Sequence, residues 1–186
     1  TLWQRIGQVV AEDTIEIDED EDQSDDSLWE RELHGVWKPV NFNHDLLFVK
    51  YPSNGAFSPH TDGKAIHDFN TRSFFSVIIF LNSIKEGHGG GTRFYKKEAL
   101  QNLNHTLGGG YRWTASDDYK ILEIEPKAGR PLFFDQRLVH EGVPPKPPYQ
   151  KYIIRSDIIY SRMNPVCDSP RDKEAYDIYR QAEVIA

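Results

Sequence analysis

Residues 74–81 (FFSVIIFL) are eight uncharged residues in a row, rich in β-branched and aromatic side chains. A run this short and this apolar reads as a buried strand. Similar short runs stand at 46–51 (LLFVKY), 92–95 (TRFY), 121–124 (ILEI), 132–134 (LFF) and 151–160 (KYIIRSDIIY). The stretch 36–43 (VWKPVNFN) is extended, because Pro39 bars helix. Turn signals separate these runs: PSNG at 52–55, GHGGG at 87–91 and PPKPP at 144–148. The expectation is a mainly β chain with Trp37, Phe74, Phe75 and Phe80 in its core. Helical spacing is found near the ends. Leu2, Trp3, Ile6, Val9 and Val10 share a face in 2–10, and Ala175, Ile178, Tyr179 and Ala182 share one in 171–184; 28–33 reads as a short helical turn.

With 186 residues the chain is long enough for one domain, 1–186, with a real core. Charged residues make up 27% and hydrophobic ones 38%, and no run approaches the length of a membrane-spanning helix, so no membrane partner is expected. The sole cysteine, Cys167, excludes an internal disulfide and favours a reducing compartment, cytoplasmic or nuclear. The chain opens on Thr1, so the expectation is a trimmed stretch, with any native targeting segment lying outside it. The net charge of −7 is concentrated: residues 12–26 hold ten acids and no base, leaving 22 bases against 19 acids elsewhere. That run reads as an acidic loop or linker, its functional alternative being an arm for a basic substrate. It argues against a nucleic-acid partner, as does the lack of a basic stripe interleaved with aromatics.

The chemistry concentrates in 51–63 (YPSNGAFSPHTDG), which carries the His-x-Asp pair His60 and Asp62. A further histidine, His140, follows far downstream in FFDQRLVHEG. Two imidazoles and one carboxylate form a facial set that suits Fe(II) and leaves open positions. Zn or Mn could also be held, so the metal alone does not decide the chemistry. Open positions on iron accept a keto acid and then O2, which makes a 2-oxoglutarate oxygenase the first reading. The distal carboxylate of 2-oxoglutarate needs a cation. Lys151 and Arg155 are four apart in the last run, and strand geometry places both on one face. A base pointing into an apolar interior is costly without an anion, so each has a plainer reading: exposure, or pairing with Asp157 or Glu141. Tyr51 either offers its hydroxyl to the cosubstrate or packs in the core. The long connection 96–119 holds Tyr111 and Trp113, read as a substrate wall or lid against the alternative of a surface loop. His34, His44, His67 and His105 lie in polar stretches and are expected at the surface; His88 lies in the glycine turn.

These segments resemble the prolyl 4-hydroxylase superfamily of Fe(II)/2-oxoglutarate dioxygenases over 37–160. The likeness is carried by YPSNG before HTD, IIFLN (78–82), GGGTRFY (89–95), IEPKAGRPLFFD (124–135), HEG (140–142) and KY (151–152). The YPSNG turn and the IEP…LFF…HE run are similar to the oxygen-sensing prolyl hydroxylases. The resemblance implies a double-stranded β-helix, or jelly roll, with core 36–160, flanking helices and a C-terminal helix at 171–184. It implies iron ligands at His60, Asp62 and His140. It places the 2-oxoglutarate base at Lys151, eleven residues past His140, with Arg155 the second candidate and Tyr51 nearby. The cofactors implied are Fe(II), 2-oxoglutarate and O2, with ascorbate a candidate addition. The reaction implied is hydroxylation of a C–H bond, on a prolyl residue of a protein or peptide, releasing succinate and CO2. The chain departs from the family at Phe80, where a tyrosine is common, and in the PPKPP turn. Alternatives are a dioxygenase for another amino-acid side chain or a small molecule, and, from a different class, a catalytically inactive jelly roll that binds a partner. The complete triad argues against the last.

Overall fold

The computed structural model describes residues 3–4, 7, 10, 13–18, 33–106 and 112–185. In chain order its strands are β1 (Ile15–Ile17), β2 (Gly35–Phe42), β3 (Leu47–Tyr51), β4 (Phe57–His60), β5 (Ile66–Asp68), β6 (Thr71–Phe80), β7 (Thr92–Tyr95), β8 (Asn104–Thr106), β9 (Arg112–Thr114), β10 (Lys120–Ile124), β11 (Pro131–Asp135), β12 (Val139–Gly142) and β13 (Lys151–Arg162), followed by helix α1 (Pro170–Ile185). The chain divides into two compact units. The first comprises Thr1–Phe42, Ala65–Ser73 and Ile158–Ala186; the second comprises Asn43–Lys64 and Phe74–Asp157. The span 36–160 therefore draws on both units, since 36–42, 65–73 and 158–160 belong to the first.

The second unit is a sandwich of antiparallel sheets. On one side β3 pairs with the start of β13, with Lys151 opposite Tyr51 and Arg155 opposite Leu47, and β11 pairs with β6. On the other side the order is β10-β7-β12-β4. The two sheets meet in an apolar cluster of Ile78, Phe80, Phe94, Phe134 and Ile153, with Val49, Tyr51, Ile124 and Leu132 packed against it. This is the mainly β arrangement expected from the strand runs and the jelly roll that the resemblance implies. Phe80 is fully buried in it. The connection after β7 is not structureless. It folds as a 3-10 turn over Lys97–Asn102, the hairpin β8–β9 and a second 3-10 turn over Asp117–Tyr119.

Two turns fix where β13 begins. Gly89 and Gly90 have φ of +71° and +81°, a region that favours glycine. A Cβ on Gly89 would collide with the carbonyl oxygen of Pro144, and one on Gly90 with Cδ1 of Ile84. The proline turn is tied to this glycine turn: Gly90 N–H donates to Pro144 O at 3.3 Å and Lys146 N–H to His88 O at 2.8 Å. The register of Lys151 is thus set by hydrogen bonds, however unusual PPKPP is as a sequence.

In the first unit, β1 pairs with β2, and β2 with the end of β13. The acidic run is therefore not loop throughout. Ile15 and Ile17 alternate with an acid between them, and the half-buried isoleucines pay for ordering a strand. Glu12 and residues 19–26 lie outside the described residues, as do 28–32 of the expected short turn. Of 2–10, the described residues Trp3, Gln4, Gly7 and Val10 are helical. Trp37 and Tyr160 are buried, and the Arg162 guanidinium lies 4.6 Å from the Trp37 ring. Helix α1 starts where Ser169 and Asp172 cap each other: Asp172 N–H donates to Ser169 Oγ and Ser169 N–H to Asp172 Oδ2, both at 3.2 Å. Its apolar periodicity does not mark a buried face, since Ile178 is 61% and Tyr179 51% exposed. Tyr176 is instead the packed residue, 5.0 Å from the Phe69 ring.

Candidate metal centre

All the groups of this centre lie in the second unit. His60 ends β4 and His140 lies on β12, and the two residues face each other across the antiparallel pair. Their rings are 4.3 Å apart. Asp62 follows two residues after His60, its N–H donating to Gln136 O at 3.0 Å. Its carboxylate reaches both imidazoles, with Oδ1 3.6 Å from His60 Nε2 and Oδ2 3.7 Å from His140 Nε2. One ligand atom from each of the three lies within 4.8 Å of the others.

The ring orientations decide the tautomers. His60 Nδ1 is 2.8 Å from Ser58 O, and His140 Nδ1 is 3.0 Å from Leu138 O. A carbonyl only accepts, so each Nδ1 carries the hydrogen, and in the neutral ring each Nε2 lone pair faces the centre. Burial pushes the His140 pKa down, outweighing the Leu138 carbonyl and Asp62, while His60 and Arg155 lower it further. Neutral imidazole is the ligating form. For Asp62, burial alone would raise the pKa. The nearby His60 imidazole and the hydrogen bond from Ser76, with His140 and Arg155 beside them, override burial and hold the carboxyl well below its usual range. Two neutral imidazoles and one carboxylate, with no thiolate, fit Fe(II). Phe57 packs edge-on against His60 at 4.3 Å, and Phe134 against His140 at 4.6 Å.

The three groups line a cavity of about 440 Å³. Lys151, Tyr51 and Arg155 line it too, but at different depths. Lys151 is 1% exposed, with Nζ donating to Gly91 O at 3.3 Å and lying 4.1 Å from the centre of the Tyr51 ring. Burial lowers its pKa to about 8, against the pull of Glu123 and Glu141. Burial, then Asp62, raises the pKa of Tyr51, which keeps its hydroxyl protonated. Gly142 gives Tyr51 room, since a Cβ there would meet its ring at 3.0 Å. Arg155 sits by the carboxylate of Asp62, with Nη2 3.3 Å from Asp62 Oδ1 and 3.3 Å from Asp157 Oδ1.

Trp113 is not among the cavity's lining residues. It is 50% exposed, packs edge-on against His105 at 4.9 Å, and lies on β9, which contacts the His60-bearing β4. Tyr111 lies outside the described residues. Sequence reasoning missed Ser76 and Gln136. Ser76 had a signal, being the one hydroxyl in FFSVIIFL. Gln136 had none, because its contacts come from other strands.

The family model described as the 2OG-Fe(II) oxygenase superfamily matches residues 46–156. Among solved structures, a prolyl-4-hydroxylase of Pseudomonas putida is 19% identical, with TM-score 0.43, over 67% of this chain and 54% of that one. A viral collagen prolyl hydroxylase from Paramecium Bursaria Chlorella virus-1, in complex with 2OG, is 21% identical, with TM-score 0.41, over 65% of this chain and 60% of that one. A Trichoplax adhaerens prolyl hydroxylase, in complex with a hypoxia inducible factor oxygen degradation domain peptide fragment, is 18% identical, with TM-score 0.43, over 68% of this chain and 46% of that one. The chain thus spans about half of the length of these structures. No curated protein matches it. With its family model covering more than half of the sequence, the chain belongs to the 2OG-Fe(II) oxygenase superfamily, dioxygenases that work with Fe(II), 2-oxoglutarate and O2.

Proposed function

We propose that this chain hydroxylates a C–H bond of a prolyl residue in a protein or peptide, consuming 2-oxoglutarate and O2 and releasing succinate and CO2. The observation that carries the reading is the set of His60, Asp62 and His140 beside a cavity with a buried cation, Lys151, in its wall. His60, Asp62 and His140 would hold Fe(II) through Nε2, a carboxylate oxygen and Nε2. When bound, iron supplies O2 activation coupled to decarboxylation of the keto acid. Lys151 takes the distal carboxylate, and the Tyr51 ring and hydroxyl beside it fix that end. The apolar walls, Ile78 and Ile153, exclude water around the cosubstrate chain.

The prolyl assignment is supported by the YPSNG turn and the IEP…LFF…HE run, and by Leu47 and Phe57. These two side chains line the cavity yet are 55% and 51% exposed, apolar surface suited to a pyrrolidine ring. The test is a panel of peptides, with and without proline, incubated with Fe(II) and 2-oxoglutarate. Succinate should form in step with a mass gain of about one oxygen, localised to proline. Oxygen on another side chain would move the substrate class. Absence of any 2-oxoglutarate turnover would leave the inactive binding domain.

Trp113, on β9 beside β4, is proposed to close over substrate together with Tyr111. Replacing both with Ala should depress turnover on peptide while metal binding and substrate-independent conversion of 2-oxoglutarate to succinate persist. Unchanged peptide kinetics would return the hairpin to a plain surface loop.

A further inference from the structure

We infer that Arg155 is a positioning residue for the metal-binding carboxylate of Asp62 and not a cosubstrate cation; the inference rests on the metal-site reading above. One nitrogen, Nη2, is shared at 3.3 Å between Asp62 Oδ1 and Asp157 Oδ1. Asp157 is the fixed end of this bridge. It is 3% exposed and accepts from Gln136 Nε2 at 2.9 Å and from Asn43 Nδ2 at 3.4 Å. The other oxygen of Asp62 has its own donor, the Ser76 hydroxyl at 2.6 Å, which also lies 3.5 Å from Asp157 Oδ1. Each oxygen of Asp62 thus meets a donor anchored on a strand, Arg155 on β13 and Ser76 on β6. Asp62 itself sits on neither a strand nor a helix, next to Gly63, and its backbone is held by the bond from its N–H to Gln136 O, which leaves the side chain to be fixed by these donors.

Electrostatics require the same arrangement. Asp62 and Asp157 both approach one serine hydroxyl, and a guanidinium between two carboxylates relieves their repulsion. A residue already bridging two acids is poorly placed to take a third carboxylate. Lys151 makes no ion pair among the described residues, holding only a backbone carbonyl and an aromatic ring, so it is the base available to an incoming anion. Partners that orient a metal ligand typically change metal affinity by about 10- to 100-fold when removed.

The experiment titrates the metal-free protein with Co(II) in the absence of 2-oxoglutarate, then measures the KM for 2-oxoglutarate at saturating Fe(II). Arg155→Gln should weaken Co(II) binding by about 10- to 100-fold. It should leave that KM within about twofold of the parent. Arg155→Lys, which keeps a charge but loses the fork, should recover part of the Co(II) affinity. Ser76→Ala should weaken Co(II) through the other oxygen, which keeps the test open if one variant folds poorly. Unchanged Co(II) affinity in Arg155→Gln overturns the inference, as does a tenfold rise in the 2-oxoglutarate KM at saturating metal. If the parent chain takes up no Co(II), the metal-site reading fails as well; if the parent binds and Arg155→Gln binds equally, the inference alone fails.

Discussion

His60→Ala is expected to lose metal binding and turnover together. His60 supplies one of three donors, and its Nε2 is aimed by the bond from Nδ1 to Ser58 O. Loss of an orienting partner alone typically costs about 10- to 100-fold in metal affinity, so loss of a donor should exceed that. His60 is the cleaner of the two histidines to remove. Its side chain is 29% exposed at a strand end, whereas His140 is 4% exposed and packed on Phe134 and Phe94. Truncating His140 would therefore mix lost coordination with a core cavity. The measurement is metal retained per chain after desalting, alongside succinate formation and thermal unfolding of the metal-free protein. A variant that unfolds like the parent yet holds no Fe(II) meets the expectation. One that keeps its metal contradicts the assignment of the site.

The second large effect is expected at Lys151. A charge-assisted hydrogen bond is worth about 1.5–3 kcal/mol, and each 1.4 kcal/mol is about tenfold in affinity. Lys151→Ala should therefore raise the KM for 2-oxoglutarate about tenfold to a hundredfold while Co(II) binding stays intact. The same residue predicts a pH dependence. Burial lowers its pKa to about 8 in the free protein, so the ammonium is present below that value and lost above it. A dicarboxylate binds the charged form, so affinity for 2-oxoglutarate should be flat well below pH 8 and fall about tenfold per pH unit above it. In Lys151→Ala this alkaline loss should vanish. An unchanged KM, or an alkaline limb that survives the substitution, would remove Lys151 from the cosubstrate site.

The convergence of His60, Asp62 and His140 was legible because it is carried by residue type and order: a His-x-Asp pair between two strand runs, then a lone histidine. The difference in depth between Lys151 and Arg155 was not. Period-two alternation puts both on one face of β13 and says nothing of depth. Depth comes from the partner strand, which sets Lys151 against Tyr51 and Arg155 against the half-exposed Leu47. The way Asp62 and Ser76 join Arg155 and Asp157 was equally hidden, because a loop, β6 and β13 are brought together by a register that no single run encodes. One further feature misled. Ile15–Ile17 forms a strand inside an acidic run, since two alternating isoleucines suffice when β2 offers an edge. The terminal helix was legible at nearly its observed bounds, though its shared face leaves Ile178 and Tyr179 exposed.

On the proposed role of Lys151, the bonds between the glycine turn and the proline turn would make cosubstrate recognition a matter of loop length. Side chains on a strand alternate sides, so sliding β13 by one residue would bring Tyr152 inward and turn Lys151 out to water. A phenol would then stand where the ammonium stands, and the cavity would select a neutral chain end over a dicarboxylate. The tether at His88, Gly90, Pro144 and Lys146 holds the turn that leads into β13 and opposes that slip. Two loops that supply none of His60, Asp62 and His140 thus act as a ruler. On the proposed role of Lys151 they measure out which acid the protein would use, and a redesign of that acid would begin with them.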